Sequence, residues 1–420
     1  MPDAKRSQDL LQIIRYSIDS VSPSVILPGL LKKPTIPGVG EWLQSSERYL
    51  LTIGKASISS AEAILSNSQA TGHFILAPKP STNSSMNIHY GSHPVPDEDS
   101  LQSTAELVSW LREIPQTSHL LVVLSGGSSA LLVSPITRVS LSAKQKVNEL
   151  LIRSGASIHE INCVRKHLSR VKGGHLANIV PQNSTVLVIS DVIGDDLSTI
   201  GSGPFYPDPT TFLEAENILR RYEIWDAVPA EIRTAIDSGE SGNIPETPKP
   251  GTKTIPHTII ASNDLAREAA ARKATELGYA VKTFSRPIQG LVEDVGPNLV
   301  SFLRQLMPNT AMIVGGEITV RVKGSGVGGR NQHLALIITE IIAGGDATFA
   351  AVGTDGIDGI SPAAGAWTDG KTLSRAMRKG LDINLAIESF DSYNFFHTLE
   401  QTIETGPTGT NVMDLYLALT

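Results

Sequence analysis

Two short runs constrain this chain more than anything else in it: residues 119–124 (HLLVVL) and 185–190 (TVLVIS) are rich in branched side chains and nearly all apolar. Such runs are strands covered on both faces, as in parallel sheets flanked by helices, where the usual alternation with polar residues is lost. Helical patterns accompany them. After Asp208 and Pro209, Thr211 and Glu214 have capping-box spacing, and Phe212, Ala215, Ile218 and Leu219 form one apolar stripe. Further on, residues 257–261 (HTIIA) lead into an Ala-rich helical stretch, 263–277, that Gly278 stops; a strand-like run at 279–284 completes a βαβ unit. Residues 311–314 and 347–352 supply more strands. The expected fold class is α/β: two three-layer α/β/α domains with largely parallel sheets, the first Rossmann-like.

The sharpest compositional break is 238–256 (SGESGNIPETPKPGTKTIP), which holds four prolines and three glycines without apolar periodicity and reads as a linker. The expected division is an N-terminal domain over 1–237, the linker 238–256, and a C-terminal domain over 257–404. The tail 405–420, a glycine-rich turn followed by apolar residues, is expected to pack back onto the first domain as a closing strand. A length of 420 residues suits two domains of roughly 100–200 residues each.

Composition excludes several function classes. With 35 basic and 42 acidic residues the net charge is −7, so the basic surplus of a dedicated nucleic-acid binder is missing. No run approaches the ~18 apolar residues of a membrane span. The amino terminus carries acids and has no apolar core, so it reads as neither a secretory signal nor a transit peptide. The single cysteine, Cys163, rules out an intramolecular disulfide and is expected to be a small buried hydrophobe. A cytoplasmic protein is the expectation.

In open α/β sheets ligands bind beyond the carboxyl ends of the strands, so the residues following each apolar run are the candidates. After the first run come Ser125, Gly126, Gly127, Ser128 and Ser129. They make either a Gly-Ser turn with serine caps or, if a helix begins there, an anion site built from free N–H groups and hydroxyls. After the second run stand Asp191, Asp195 and Asp196, three carboxylates that suit a hard cation such as Mg²⁺, with a solvated acidic turn as the alternative. Asp191, directly behind the strand, is favoured. Gly324, Gly326 and Gly329 satisfy G-x-G-x-x-G ahead of a helical stretch, with Asp355 as a conceivable ribose acid. The preceding segment alternates valine with Arg321 and Lys323, which fits an edge strand rather than the central one a dinucleotide fingerprint needs. The other reading is a phosphate or carboxylate site using Arg330. Gly353–Gly359 (GTDGIDG), with Asp355 and Asp358, is a further acidic strand-end loop or a plain Asp-Gly turn. Lys55, beside Gly54, can reach a phosphate; Arg165, Lys166, Arg170 and Lys172 are either a polyphosphate cluster or a solvated helix face. His89 and His93 are four apart, but Gly91 and Pro94 forbid the helix that would put them on one face, and no HExxH, Walker, protein-kinase or GxSxG motif occurs.

Taken together, the motifs at 54–56 (GKA), 91–98 (GSHPVPDE), 124–132 (LSGGSSALL), 161–177 (INCVRKHLSRVKGGHLA), 190–212 (SDVIGDDLSTIGSGPFYPDPTTF), 324–336 (GSGVGGRNQHLAL), 353–359 (GTDGIDG) and 406–415 (GPTGTNVMDL) resemble the class II glycerate kinases, a two-domain family whose C-terminal half is named for the MOFRL motif. The resemblance implies ATP-dependent phosphorylation of D-glycerate at its 2-hydroxyl with a divalent metal, Mg²⁺, in a cleft between the domains. It singles out Lys55 and Arg330 as catalytic. The expected division of labour puts Ser125, Gly126, Gly127, Ser128, Ser129 and Lys172 around the ATP phosphates, Lys55 on the transferring phosphoryl group, and Arg330 with Asp355 at the substrate. Asp191, with Asp195 as fallback, would hold the metal or accept the hydroxyl proton. Replacing Lys55 or Arg330 by Ala is expected to lower turnover while leaving folding intact. Partners are then the small molecules glycerate and ATP, with no nucleic acid or membrane, and the protein is a monomer or homodimer. Two departures stand out: Ser128 replaces a third glycine, and Ile360, Ser361 and Pro362 replace the family's Pro-Thr-Asp. The alternatives are an NAD(P)H-dependent hydroxypyruvate reductase, prompted by the glycine run and by a label the family often carries, and a non-catalytic sensor, prompted by Pro362.

Overall fold

The computed structural model describes residues 2–79, 86–253, 255–284 and 286–420. The chain divides into two compact units: a first of Ile26–Ile260, and a second made of Met1–Val25 together with Ala261–Thr420.

In the first unit, β1 (Arg48–Ile53), β2 (Gly72–Pro78), β3 (His89–Gly91), β4 (His119–Ser125), β5 (Asn183–Ile189) and β6 (His257–Ala261) form one sheet in the order β3-β2-β1-β4-β5-β6. The ladders joining β3, β2, β1, β4 and β5 are all parallel. This is the strand order of the doubly wound dinucleotide folds, whose direction of winding reverses between the first and fourth strands. Its centre is β4, with Leu120, Val122 and Leu124 packed among Leu51, Ile53, Val186 and Val188. Leu121 and Val123 on the other face are buried too, which is why the run shows no polar alternation. A second core gathers the helices Leu141–Arg153, Ile158–His167, Phe212–Arg221 and Ala230–Glu240. The capping box at Thr211 is present: its N–H donates to Glu214 Oε2 at 2.7 Å, and Glu214 N–H returns to Thr211 Oγ1 at 3.2 Å. Cys163 is buried in this core, its thiol pushed up to about 12 by desolvation.

Three expectations about organisation need correction. Residues 238–256 do not form a free linker. The segment begins inside a helix, and Thr247 is buried with its hydroxyl 3.0 Å from Asp208 Oδ2; Thr254 lies outside the described residues. Pro248 and Pro256 carbonyls accept from Asp208 N and Val186 N at 2.8 and 2.9 Å. Proline and glycine exclude regular structure there, but not packing. The run HTIIA, read as the opening of the second domain, is instead the last strand of the first sheet. The N-terminal helix Pro2–Ser20 belongs to the second unit, tied by Tyr279 Oη donating to Asp9 Oδ2 at 2.9 Å and Ser17 Oγ donating to Ala266 O at 2.6 Å.

The second unit holds β7 (Ala280–Thr283), β8 (Ile288–Leu291), β9 (Thr310–Thr319), β10 (Thr348–Gly353), β11 (Gly365–Asp369), β12 (Thr402–Ile403) and β13 (Asp414–Leu419). The sheet order is β12-β11-β10-β13-β9-β7, with β8 also on β9. It is mixed rather than largely parallel: β7 and β8 run parallel to β9, while β13 is antiparallel to both β9 and β10, and β11 is antiparallel to β10 and β12. The tail therefore does not close the first domain. All six residues of β13 are buried, and it fills the middle of this sheet. A strand covered on both faces reads the same whichever way its neighbours run, so periodicity carried no sign of this insertion. The valine-alternating segment is no strand either: β9 stops at Thr319, and residues 321–323 are exposed loop.

Candidate functional site

In the first unit the winding reversal lies between β1 and β4, so their carboxyl-terminal loops should frame a crevice. These two loops interlock. Gly54, directly after β1, sits at φ +113°, and a Cβ there would fall 2.3 Å from Ser125 Oγ; only glycine fits. Ser125 Oγ donates to Ile53 O at 3.0 Å and accepts from Ala56 N at 3.1 Å, while Lys55 N donates to Gly126 O at 2.9 Å. The backbone of Lys55 is thus pinned to the glycine-serine loop while its side chain is exposed. Lys55 Cγ and the His93 ring both lie 3.2 Å from where a Gly127 Cβ would be. Asp191 comes to the same loop from the end of β5: a Cβ on Gly126 would meet Asp191 Oδ2 at 1.9 Å. Lys55 and Asp191, both singled out in the sequence, therefore flank one loop.

Beyond this loop opens a cavity of about 410 Å³. Its polar lining includes Lys144, Arg165, Lys172, Ser129, Asn162 and Asp191. Lys172 is 2% exposed and donates to Ser129 O at 2.6 Å and Ser129 Oγ at 3.1 Å. Ser129 Oγ meets Ser202 Oγ at 2.8 Å, and Ser202 Oγ donates to Asn162 Oδ1 at 2.9 Å, so the lysine is held by a fixed chain. Lys144, equally buried, donates to Leu168 O at 2.9 Å. Arg165 Nε bonds Asn148 Oδ1. All three partners are neutral. Burial, then mutual repulsion, drives the cations toward their neutral forms: Lys144 is lowered to about 7 by desolvation and Arg165, Lys172 is lowered by desolvation, Lys144 and Arg165, and Arg165 falls to about 10 through desolvation. His93 is lowered by desolvation and by Lys55.

Other candidates fall differently. Ser128 Oγ is buried without a hydrogen-bond partner, and the helix that begins there, Ser128–Leu131, is a single turn. The loop's capacity for an anion therefore comes from the cations facing it rather than from a helix terminus. Of the basic cluster, Lys166 is buried in an ion pair with Asp208 at 3.3 Å and Arg170 is exposed, so only Arg165 and Lys172 line the cavity. Asp196 is taken up locally, accepting from Ser198 N at 2.9 Å and Thr199 Oγ1 at 2.6 Å. Among the described residues no three His, Cys, Asp or Glu side chains gather as a metal centre. Asp191 and Asp195 fit Mg²⁺ only in its usual mode, one or two carboxylates completed by phosphate oxygens and water.

In the second unit Arg330 opens the helix Arg330–Ile341. Its Nε and Nη2 donate to Asp414 Oδ2 and Oδ1 at 2.6 and 2.9 Å, a bidentate pair with a fully buried carboxylate at the start of β13. Desolvation opposes the Arg330 charge, but the Asp414 bond outweighs it and holds the guanidinium well above its ordinary value. Burial in turn pushes Asp414 up despite Arg330, Asn331 and Tyr416. Arg330 lines a cavity of about 400 Å³ together with Glu317, His333, Phe390, Val320 and Ile360, and Glu317 Oε1 lies 3.9 Å from its Nη2. His333 stacks on Phe390 with centroids 4.6 Å apart.

The dinucleotide fingerprint does not survive. Where Cβ atoms of Gly324, Gly326 and Gly329 would sit, Ser389 O, Asp391 and Asp358 stand within 2.2–2.6 Å, so the Cβ side of each glycine is packed against its own chain, although Gly326 and Gly329 also line the Arg330 cavity. The helix N-terminus that a pyrophosphate would need already carries an anion: buried Asp358 accepts from Asn331 N at 3.1 Å and Gln332 N at 2.8 Å. Desolvation raises Asp358 to about 6. Asp355 is spent on its own turn, accepting from Ile357 N at 3.2 Å, and does not line the Arg330 cavity. Pro362 is exposed.

Sequence reasoning missed Lys144, His93, Asp358 as a cap and Asp414 as the partner of Arg330. Lys144 left a trace, since it shares a helix face with Val147 and Leu151, where a lysine is out of place.

This division has counterparts. Residues 9–237 match a family described only as a domain of unknown function (DUF4147), and residues 310–414 match the MOFRL family. The chain is 39% identical over 335 residues to the glycerate 2-kinase of Pyrococcus horikoshii, covering 78% of this chain and 76% of that protein. It is 34% identical to the D-glycerate 2-kinase of Thermotoga maritima, covering 97% of each. The crystal structure of a Thermotoga maritima glycerate kinase superposes with a TM-score of 0.83 at 32% identity, covering 98% of both chains. With both halves matched and a shared fold along nearly its whole length, the chain belongs to the MOFRL family of glycerate kinases.

Proposed function

We propose that the protein transfers the γ-phosphoryl group of ATP to the 2-hydroxyl of D-glycerate, giving 2-phosphoglycerate and ADP. The observation that supports this most is the cavity at the winding reversal, where three cations with only neutral partners adjoin the loop flanked by Lys55 and Asp191. Phosphoryl transfer asks for charge neutralisation and in-line placement more than for covalent chemistry, and this set supplies both. The glycerate oxygen bonds to the γ-phosphorus as the bond from that phosphorus to the β,γ-bridging oxygen breaks, and the hydroxyl proton passes to the Asp191 carboxylate. Lys172, Ser129 and the amides around Gly126 and Gly127 hold the phosphate tail, with Ser125 and Ser128 shaping the loop from within. Lys55 neutralises charge on the group in flight.

A divalent ion, when bound, would neutralise phosphate charge; Asp195 would hold it while Asp191 takes the proton, or Asp191 would hold it in place of that role. Arg330, held by Asp414 through Nε and Nη2, is the cation assigned to a substrate carboxylate or phosphate oxygen. The protein is read as cytoplasmic; no described helix is long and apolar enough to cross a membrane.

The test is incubation of the protein with ATP, Mg²⁺ and D-glycerate, with the product identified by ³¹P and ¹³C NMR. Phosphorus on carbon 2 and one ADP per product are expected. Oxidation of NADH by hydroxypyruvate with no phosphoglycerate would decide for a reductase.

A further inference from the structure

We propose that Lys144 and Arg165 act with Lys172 as ligands of an oligophosphate, the triphosphate tail of a nucleotide, inside the cavity of the first unit. The nucleotide's identity rests on the kinase reading; the anion site does not.

Hydrogen-bonding capacity is the first argument. An ammonium has three N–H donors. Lys144 uses one on Leu168 O, and Lys172 uses two on Ser129. Arg165 commits Nε to Asn148, leaving its two terminal nitrogens. The unused donors of all three belong to side chains lining one cavity.

Charge is the second. Three cations withdrawn from water repel one another, and only Asp191 brings a carboxylate to the lining. A like-charged, desolvated cluster is costly unless an anion completes it. A carboxylate substrate brings a single negative charge, whereas a triphosphate tail matches the cluster.

Shape is the third. The volume of about 410 Å³ suits a ligand of nucleotide class. Part of the lining is aliphatic: Val95, Ile152 and Ile158 are each about half exposed, an apolar seat for a nucleoside whose tail runs inward. Lys144 itself stands in the buried stripe of its helix beside Val147 and Leu151, a placement that weakens the fold and that packing alone does not account for.

The test titrates the full chain with inorganic tripolyphosphate, without glycerate, by calorimetry and thermal shift. Binding is expected, displaced by ATP and untouched by glycerate. Lys144→Met and Arg165→Met should each weaken it roughly tenfold or more and raise the KM for ATP by a similar factor, with a smaller change in kcat. Lys144→Arg should retain most of the affinity. Folded methionine variants that bind tripolyphosphate as the wild type does would overturn the proposal. Should those variants unfold, Arg165→Lys, which keeps the charge but loses the planar fork, is expected to weaken binding several-fold; unchanged affinity there overturns it equally. Tripolyphosphate that binds through these residues and resists ATP marks a seat for free inorganic oligophosphate and removes the nucleotide assignment. A protein that binds tripolyphosphate in this way, yet transfers nothing to glycerate, refutes the kinase reading and leaves the anion site standing. Normal glycerate phosphorylation with unaltered ATP KM in both variants does the reverse.

Discussion

In the first unit Lys144, Arg165 and Lys172 meet a cavity with neutral hydrogen-bond partners, whereas Arg330 in the second unit is gripped by both oxygens of a buried carboxylate. Both glycine runs line a cavity, Gly127 the first and Gly326 and Gly329 the second, each second-run glycine with one side packed against Asp391 or Asp358. A cation without a counter-ion is poised to bind an anion; a cation already paired is poised to be aimed. Sequence alone made both loops look like phosphate sites; the first is backed by three cations with neutral partners, the second by one cation already paired with a carboxylate.

This contrast can be broken by mutation. The largest effects are expected at Lys55 and Arg330. Either residue changed to Ala should cut turnover with ATP and glycerate by roughly 10²–10³-fold. They should differ in stability. Arg330→Ala strands Asp414 as an unpaired buried charge and should lower unfolding free energy by about 3 kcal/mol in urea titrations, contrary to the expectation that folding is untouched. Lys55→Ala, at an exposed side chain, should leave the urea midpoint where it was. Equal destabilisation of the two variants would erase the distinction between paired and unpaired cations.

A second effect, of intermediate size, comes from protonation. With Lys144 lowered to about 7 in the free protein, an anion beside it restores its charge, so binding at pH 8 should take up protons. Calorimetric heats measured in buffers of different ionisation enthalpy should diverge for the wild type and diverge less for Lys144→Met, in which Lys172, lowered by the same burial, still takes up its proton. The stability sign follows from the same shift. Between about 7 and the ordinary lysine value of 10.5, the unfolded chain binds more protons than the folded one. Lys144 therefore makes the ligand-free protein gain stability as pH rises through that window, and Lys144→Met should flatten the gain. The smallest effect is structural and remote: Thr211→Ala, removing one side of the capping box, should cost about 1 kcal/mol and leave ATP affinity unchanged.

Much of the first unit was legible because its cues are local. The runs that became β4 and β5 announced a covered parallel sheet, and the loops behind them held Asp191 and the glycine-serine turn. What escaped depends on distant pairings. Nothing near Arg330 points to Asp414, 84 positions away, and nothing in the final apolar residues says that they enter between β9 and β10. The Pro2–Ser20 helix carries no mark of its partners Ala266 and Tyr279. Lys144 was readable in principle, as a lysine on an apolar helix face, yet a lone residue of that kind is more often a snorkelling side chain than a ligand.

Hydrogen exchange on the full chain, with and without ATP, asks directly which glycine-rich region receives the nucleotide's phosphates. The largest protection is predicted at residues 125–132 and 162–172, around the unpaired cations, with less at 324–330. Protection confined to 324–330, with the first unit unchanged, would contradict it.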